Sequence, residues 1–298
     1  MLPAGRNLQT PEDVIGAFEQ YGYICDPALA ISVLLLLKIG KPILLEGHAG
    51  LGKTEVAKVL ARFLNTRLIR LQCYEGLDIN SAVYEWNYQK QLLAVKIQEG
   101  TGKSVEEKEK HIFGREFLLE RPLLQAVMEP NASPVLLVDE VDRADEAFEA
   151  FLLELLSDFQ VSIPEMGTIR ARHIPFVVLT SNRNRELSDA LKRRCLYHWI
   201  DYPPLQKEMR IVAARLPGIE QELARQVVRF VQELRKLNLG KAPGVAETLD
   251  WAQALVALGR HKLDVDSVEE TLGCLSKSVE DTVRIKSVGI KKLLAGTV

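Results

Sequence analysis

The feature that most constrains this chain is a glycine-rich octapeptide early in the sequence. It matches the pattern G-x-x-x-x-G-K-[ST] at every fixed position. Its residues are Gly47, His48, Ala49, Gly50, Leu51, Gly52, Lys53 and Thr54. In such a phosphate-binding loop (P-loop), glycines let backbone N–H groups turn inward around a phosphate, where a side chain would collide. The octapeptide therefore predicts a nucleoside-triphosphate site, with the lysine on the β and γ phosphates and the threonine hydroxyl on Mg²⁺.

The segments on either side of the P-loop distinguish it from a chance match. Residues 42–46 form a short apolar run that is typical of a buried parallel strand. After the P-loop, apolar residues recur at helical spacing, at Val56, Val59, Leu60 and Phe63. A strand, a loop and a helix in this order are what phosphate binding requires. An empty glycine turn is therefore the weaker interpretation.

Strand and helix patterns alternate along the chain up to a double proline at 203–204. Beyond the run that precedes the P-loop, strands are predicted at residues 67–73, 135–138 and 176–180, and a helix at 146–159 separates the last two. Strands spaced by helices imply βαβ crossovers and a parallel sheet that helices cover on both faces. The predicted fold class is therefore α/β, a P-loop parallel sheet with flanking helices.

The pattern changes at the double proline, Pro203-Pro204. From there onward apolar residues recur only at helical spacing, and helices are predicted at residues 245–258 and 265–285. We therefore predict two domains. An α/β nucleotide-binding domain covers residues 1–204, and a small all-α lid domain covers residues 205–298.

Two regions interrupt the alternation of strands and helices. Residues 84–97 are rich in aromatic and β-branched side chains, which favours a hairpin, and the mostly charged residues 98–110 are expected to form an exposed loop. Residues 160–172 alternate apolar and polar side chains before a Pro-Glu-Met-Gly turn, which predicts a second hairpin. Inserts of this kind are candidate partner contacts. The alternative is that both hairpins only cover the sheet.

Two acidic residues follow directly on the predicted strand at 135–138. Open α/β sheets bind ligands at the carboxyl ends of their strands, so Asp139 and Glu140 are expected beside the P-loop. Asp139 would hold magnesium through water, and Glu140 would polarise the attacking water as general base. The alternative is that both carboxylates only cap the helix that follows.

Polar residues also follow the predicted strand at 176–180. Asn182 is a candidate for positioning the attacking water between Glu140 and the γ-phosphate, and the alternative is an asparagine that only forms a turn. Further on, Arg193 and Arg194 are candidates for stabilising the charge of the transition state, as an arginine finger does. The competing interpretation of these arginines is a solvated charged face.

Composition and charge argue against several other classes of protein. Lys and Arg number 38 and Asp and Glu 40, and the resulting net charge of -2 speaks against a dominant nucleic-acid-binding surface. The cysteines form no C-x-x-C pair, so we expect reduced thiols rather than a zinc site or disulfides; they are Cys25, Cys73, Cys195 and Cys274. The longest apolar run, residues 28–37, is about half as long as a membrane span. Since the start lacks the apolar region of a signal peptide, a cytoplasmic protein without membrane insertion is expected.

These motifs, in this order, resemble the AAA+ superfamily of ATPases over nearly the whole chain, and within it the MoxR family. Residues 139–144, Asp-Glu-Val-Asp-Arg-Ala, are similar to the extended Walker B motif of that family. The resemblance implies ATP and Mg²⁺ as cofactors, ATP hydrolysis, and self-assembly into a ring, which is a hexamer in the family. It also implies that Arg194, followed by Cys195, is the finger that reaches the neighbouring subunit, with Arg193 as the fallback.

Shorter stretches resemble the CoxD-type members of the MoxR family. They are residues 74–78 (Tyr-Glu-Gly-Leu-Asp), 84–88 (Tyr-Glu-Trp-Asn-Tyr), 117–123 (Phe-Leu-Leu-Glu-Arg-Pro-Leu) and 242–251 (Ala-Pro-Gly-Val-Ala-Glu-Thr-Leu-Asp-Trp). This resemblance implies a partner that bears a von Willebrand factor A domain. It also implies a client metalloenzyme, because such proteins are linked to the maturation of molybdenum-containing carbon monoxide dehydrogenase and similar enzymes.

One stretch departs from the family pattern. Many MoxR proteins carry a sensor 2 arginine at the start of a lid helix, whereas the comparable residues here are 244–247, Gly-Val-Ala-Glu. The nearest cation is Lys241. Closure of the lid over the γ-phosphate is therefore expected to be weaker unless Lys241 substitutes, and no sensor 2 residue is assigned.

The leading hypothesis is an ATP-driven, ring-forming remodeller or chaperone that acts on a protein. One alternative is a nucleic-acid motor or loader, against which the nearly neutral net charge speaks. Another is a switch that binds ATP without hydrolysing it, against which the presence of Glu140 speaks. None of the motifs identifies the client protein.

Overall fold

A computed structural model of the protein describes residues 8–98 and 104–295. Contacts between residues divide the chain into two compact units. The first unit consists of Met1–Pro11, Ala28–Glu46 and Ala57–His198, and the second of Glu12–Pro27, Gly47–Val56 and Trp199–Val298. The P-loop groups with the second unit, although it lies early in the sequence. The predicted domain boundary after residue 204 stays a prediction.

The main sheet has five strands in the order β2-β5-β8-β1-β9. The strands of the protein are β1 (Ile43–Gly47), β2 (Leu68–Gln72), β3 (Tyr84–Trp86), β4 (Leu118–Glu120), β5 (Val135–Asp139), β6 (Gln160–Ile163), β7 (Gly167–Arg170), β8 (Phe176–Ser181) and β9 (Leu196–Ile200). The pairs β2–β5, β5–β8 and β8–β1 are parallel. Every residue of β1, β5 and β8 is buried, as expected for the apolar central strands of a sheet with both faces covered.

Helices flank the sheet strands in the sequence, and between residues 205 and 295 the described chain forms helices and their connections without a strand. They are α1 (Pro11–Glu19), α2 (Pro27–Ile39), α3 (Lys53–Leu64), α4 (Ile79–Ala82), α5 (Tyr88–Ile97), α6 (Val105–Ile112), α7 (Pro122–Met128), α8 (Glu146–Asp158), α9 (Asp189–Arg194), α10 (Leu205–Arg215), α11 (Gln221–Lys236), α12 (Val245–Ala257), α13 (Val265–Thr271), α14 (Val279–Val288) and α15 (Ile290–Ala295). Several begin at a side-chain cap. For example, Asp145 accepts a hydrogen bond from the Phe148 N–H at the start of α8.

The predicted α/β fold class is confirmed, including the parallel sheet and the helices that follow it. The four strands that the apolar runs predict are β1, β2, β5 and β8. The sequence pattern does not predict the edge strand β9, because its residues mix apolar, aromatic and polar side chains and only Ile200 is buried. Short runs on an edge strand carry little periodicity, since only part of the strand meets the core.

The prediction of a hairpin over residues 84–97 is wrong. Tyr84–Trp86 forms β3, but its antiparallel partner is β4, about thirty residues further along the chain. The segment in question instead forms α5, whose start is capped by Asn87 through a hydrogen bond from the Lys90 N–H (3.0 Å). Leu, Ala, Gln and Lys dominate this segment and are good helix formers, which outweighs its β-branched residues.

The predicted exposed loop at residues 98–110 is partly a helix. Residues 99–103 lie outside the described residues, and α6 begins directly after Ser104. Ser104 and Glu107 form a capping box, in which each side chain accepts a hydrogen bond from the other residue's N–H. No residue of α6 is buried, so the expected exposure is present but the expected loop conformation is not.

The second predicted hairpin is confirmed. The strands β6 and β7 pair antiparallel, with Gln160 opposite Arg170 and Ile163 opposite Gly167. Val161 and Ile163 point to the core, whereas the intervening residues are exposed or half-buried. Period-two alternation and a glycine with a left-handed φ of 79° at the turn are enough to define this element.

The second unit has a helical core built around two aromatic side chains, Phe230 of α11 and Trp251 of α12, both fully buried. The single helix predicted over residues 265–285 is wrong. The chain forms α13, a short 3-10 turn and then α14, whose start is capped by Ser278 through a hydrogen bond from the Asp281 N–H (3.1 Å). A serine that caps its own backbone competes with continuation of a helix.

Within the described residues, no helix is both long enough and apolar enough to cross a membrane.

Candidate functional site

The P-loop has the backbone conformation that its glycines predict. Gly50 and Gly52 have left-handed φ angles of 76° and 85°, which side chains rarely adopt. A Cβ atom at Gly47 would collide with the carbonyl oxygen of Ile200, and one at Gly50 would lie 2.8 Å from Glu247 Oε2. Gly50 therefore requires glycine for both conformation and space, Gly47 for space and Gly52 for conformation.

Lys53 is the first residue of α3 and is only 6% exposed. Its ammonium group folds back over the P-loop and donates hydrogen bonds of 2.7 Å to the carbonyl oxygens of Gly47 and His48. Thr54 follows in the first turn of α3. A lysine above the loop and a helix N-terminus behind it are the arrangement that binds phosphate. The ammonium group and the positive end of the helix dipole both attract an anion placed over the loop. The residues present therefore fit a phosphate group.

In the first unit, Asp139 is the last residue of β5 and is 3% exposed. Its carboxylate accepts a 2.6 Å hydrogen bond from the Thr180 hydroxyl on Oδ1. On Oδ2 it accepts two hydrogen bonds from the Arg70 guanidinium, of 3.0 Å from Nε and 2.6 Å from Nη2. These hydrogen bonds to both oxygens fix the orientation of the buried carboxylate.

Glu140 leaves the strand in a left-handed conformation, with φ 55° and ψ 48°. This conformation is strained for a residue with a side chain and needs support from its surroundings. The support comes from a 2.9 Å hydrogen bond that the Glu140 N–H donates to Thr180 Oγ1. Glu140 caps no helix with its side chain, and α8 is instead capped by Asp145.

The Glu140 carboxylate is held by side chains from three directions. It accepts hydrogen bonds from Gln72 Nε2 (3.0 Å) and Asn182 Nδ2 (3.3 Å), and it lies 3.0 Å from Arg143 Nε in an ion pair. The structure thus brings together Glu140 and Asn182, which the sequence singled out separately. The Glu140 side chain is 31% exposed, so its oriented carboxylate is still reachable by water.

The two candidate finger arginines lie at the end of α9 and are both exposed. Arg194 donates hydrogen bonds to Ser157 Oγ (2.6 Å) and to the Ala190 carbonyl oxygen (3.1 Å) of the same chain. Both bonds involve exposed groups, so little is lost when they exchange with water or with another acceptor.

The stretch where a sensor 2 arginine is absent makes a backbone contact with the P-loop instead. The Ala246 N–H, at the start of α12, donates a 2.9 Å hydrogen bond to the Gly50 carbonyl oxygen. Glu247 turns back to accept a hydrogen bond from the Gly244 N–H (2.9 Å). Lys241 is exposed, and its N–H donates to Asp281 Oδ2 (3.1 Å).

The sequence did not predict several residues that bind Asp139 and Glu140. Arg70 and Gln72 hold the two acids from β2, and Thr180 binds both from β8. The signal for the first two was the alternation of apolar and polar residues over positions 69–72 of β2, which places Arg70 and Gln72 on the same face. Thr180 gave no signal, because a buried threonine in a β-branched run resembles the rest of its strand.

Burial also defines the state of the cysteines. Among the described residues all four are free thiols, and only Cys274 is not buried. Burial raises the pKa of Cys25 and of Cys195 to about 12, so both are neutral near pH 7. For Cys73, burial and the nearby Asp139 charge raise the pKa to about 12. The expectation of buried, reduced thiols is met at these three positions.

Comparison with known proteins shows which family this chain matches. Residues 42–195 match the family described as AAA domain (dynein-related subfamily). The chain is 26% identical to the denitrification regulatory protein NirQ of Stutzerimonas stutzeri, over 81% of this chain and 80% of that protein. It is 25% identical to the gas vesicle ATPase GvpN of Haloferax mediterranei, over 68% of this chain and 60% of that protein.

Among solved structures, the chain is similar to a variant of RuvB from Thermotoga maritima. The TM-score is 0.50 and the identity 18%, over 89% of this chain and 72% of that one. At this identity the likeness concerns the fold alone.

Proposed function

Because this chain belongs to the dynein-related subfamily of AAA domains, we propose that it binds ATP with Mg²⁺ at the P-loop and hydrolyses it. Proteins with such domains generally hydrolyse ATP. The observation that carries the proposal is the cluster around Glu140, whose carboxylate is oriented by Gln72 and Asn182 and whose side chain is 31% exposed. A carboxylate that only stabilised the fold would not need to be reachable by water.

Lys53 binds the β and γ phosphates in this proposal, and the amide groups of the P-loop surround them. The hydroxyl of Thr54 and the carboxylate of Asp139 are the oxygen donors that magnesium prefers. When bound, Mg²⁺ neutralises charge on the phosphates as the γ-phosphoryl group leaves. Asp139 acts through water rather than by direct contact, since its oxygens also bind Thr180 and Arg70.

Glu140 takes the proton of the attacking water, and Asn182 orients that water relative to the carboxylate. The substitution Glu140→Gln should keep ATP binding and slow phosphate release by about 10²–10⁴-fold, the range for loss of a general base. Glu146→Gln is the matched control, because Glu146 is exposed and six residues away. Equal and negligible phosphate release from the wild type and from Glu140→Gln would instead identify a switch that does not hydrolyse ATP.

We further propose that the protein works as a ring. In this ring Arg194 completes the site of the neighbouring subunit, and variants of Arg194 test the proposal. Arg194→Ala should lose about 10³-fold or more in turnover, as loss of an arginine finger does. Mixing Arg194→Ala with Glu140→Gln should restore part of the activity, because one protein supplies the base and the other the finger. No recovery on mixing would rule out a finger that acts between subunits, and full loss in Arg193→Ala would move the role to Arg193.

The wider role that we propose is that of a MoxR-type remodeller or chaperone of the CoxD kind. It would act with a von Willebrand factor A protein on a client metalloenzyme of the carbon monoxide dehydrogenase type, in the cytoplasm and most often as a hexamer. Support comes from the motifs in the sequence and from relatives named as a denitrification regulator and a gas vesicle ATPase. The test is whether a gene for a von Willebrand A protein lies beside the gene for this chain, and whether its product binds this chain with ATP and raises its turnover. If it does neither, this wider role is wrong while ATP hydrolysis stands.

A further inference from the structure

The outer part of the P-loop is in contact with aromatic side chains of the second unit. The ring of His48 stacks on Tyr202, with 5.1 Å between centroids and 20° between planes. Trp199 meets the same imidazole edge-on at 5.9 Å. His48 is exposed, so the stack buries little hydrophobic surface. Its effect is instead to hold the P-loop against Tyr202 and Trp199.

Tyr202 also contacts a buried arginine. The guanidinium carbon of Arg235, in α11, lies 4.8 Å from the Tyr202 ring centroid, which is a cation–π contact. Arg235 binds both carboxylate oxygens of Glu208, in α10, at 2.6 and 2.7 Å. The two side chains are 7% and 0% exposed. A buried bidentate pair has one geometry, so it holds Tyr202 in one position.

The same ion pair also reaches the P-loop by a second route. Glu208 accepts a 2.8 Å hydrogen bond from the Thr248 hydroxyl in the first turn of α12. The N-terminus of α12 then binds the P-loop through the hydrogen bond from the Ala246 N–H to the Gly50 carbonyl oxygen (2.9 Å). The Glu208–Arg235 pair thus supports two contacts with the outer part of the P-loop, one at His48 and one at Gly50.

We propose that Tyr202 and Arg235 are positioning residues of the P-loop, through which helices α10 to α12 set its affinity for nucleotide. This inference rests on the proposed function, since it assumes that the P-loop binds ATP or ADP. The physical reason is that a glycine-rich loop samples several conformations, and its apparent affinity falls with the fraction that is competent to bind. The contacts at His48 and Gly50 raise that fraction.

The coupling must also operate in the opposite direction. If these helices favour the binding conformation of the loop, then a bound nucleotide favours the present packing of the helices by the same factor. Binding of nucleotide should therefore be detectable at residues 242–248, where the chain contacts both the loop and the ion pair. In this chain, which has no arginine at the start of α12, this route carries the response of the helices to nucleotide.

The first experiment measures the dissociation constant of a fluorescent ADP analogue for the full chain. Tyr202→Leu removes the ring and should weaken binding about two- to ten-fold, the range for loss of an aromatic pair. Tyr202→Phe keeps the ring and should bind like the wild type. Tyr197→Leu is the control, since Tyr197 is an exposed aromatic residue outside the stack.

A double-mutant cycle separates coupling from damage to the fold. His48→Ala alters an exposed loop residue and cannot empty the core. If the stack acts as proposed, the His48→Ala and Tyr202→Leu double variant should bind no more weakly than the worse single variant. Fully additive effects would overturn the inference, because two independent residues do not share one contact.

The second experiment measures amide hydrogen exchange at residues 242–248 with and without ADP. ADP should slow exchange there in the wild type but not in Tyr202→Leu or Arg235→Lys, the latter keeping the charge and losing the bidentate geometry. Arg260→Lys alters an exposed ion pair in the same unit and should behave like the wild type. If the wild type binds no nucleotide, the proposed function is wrong. If it binds and Tyr202→Leu binds equally well, only the positioning inference is wrong.

Discussion

Each unit contains a cluster in which an arginine binds a carboxylate, and the two clusters differ in burial. In the first unit Arg70, which binds Asp139, is 50% exposed. In the second unit Arg235, which binds Glu208, is 7% exposed and its partner 0%. An exposed guanidinium exchanges a carboxylate for water at little cost, whereas a buried one cannot. The first cluster can therefore rearrange when a ligand arrives, and the second is a fixed frame.

The difference matches the tasks that we propose for the two clusters. Residues that carry out a reaction must exchange partners during it, and the carboxylate of Glu140 is paired with an arginine that is 55% exposed. Residues that position a loop must not move. The same chemical groups thus serve either purpose, and their burial decides which.

The largest expected effect is on the frame. Glu208→Ala leaves the Arg235 guanidinium buried without its carboxylate and should lower the free energy of unfolding by about 3–5 kcal/mol. Denaturation by urea measures this loss. Glu270→Ala is the control, since its ion pair with Arg260 is exposed and should contribute about 1 kcal/mol or less. A similar, small loss in both variants would show that the buried pair is not a frame.

A smaller effect is expected where the frame contacts the P-loop. Gly50→Ala should cost about 1–2 kcal/mol for a left-handed residue with a side chain, plus the close contact with Glu247. Gly76→Ala isolates the contact, because Gly76 has nearly the same φ, 78°, and open space around it. Thermal unfolding of the two variants compares them. Equal shifts would mean that the contact at Gly50 does not tighten the loop.

The smallest effect on stability is expected in the first cluster. Arg143→Ala should lower the free energy of unfolding by about 1 kcal/mol or less, because Arg143 is 55% exposed and its partner Glu140, 31% exposed, keeps its hydrogen bonds from Gln72 and Asn182. Arg115→Ala, which breaks another exposed pair, is the control. Urea denaturation in low and high salt provides the measurement. A loss as large as that in Glu208→Ala would remove the distinction between the two clusters.

Much of the fold follows from the sequence because continuous apolar runs identify buried parallel strands. The runs around Leu44, Val138 and Val178 became β1, β5 and β8 with boundaries shifted by a residue or two. The hairpin over residues 84–97 failed because Trp86 pairs with a strand far along the chain, and local composition carries no information about that pairing. The edge strand β9 was missed for a related reason, since it meets the core with only part of its length.

The residues of the candidate site also differ in whether the sequence predicts them. Residues that belong to a motif of fixed spacing or lie directly at a strand end, such as Lys53 and Asp139, have positions that can be read from the sequence. Arg70 and Tyr202 act across the fold, at distances along the chain that no motif specifies. They became visible only when β2 was paired with β5 and Tyr202 was found stacked on His48.

The sequence by itself determined that residues 47–54 form a P-loop and that two acids follow a buried strand. Both features are local, because a short pattern of residues is enough to define each of them. Tertiary structure alone decided which arginines are buried and which are exposed. It also decided that the P-loop contacts the start of α12 and the ring of Tyr202. Burial and long-range contacts depend on how distant segments pack. Packing therefore sets how strongly the ion pairs and aromatic pairs of this protein interact.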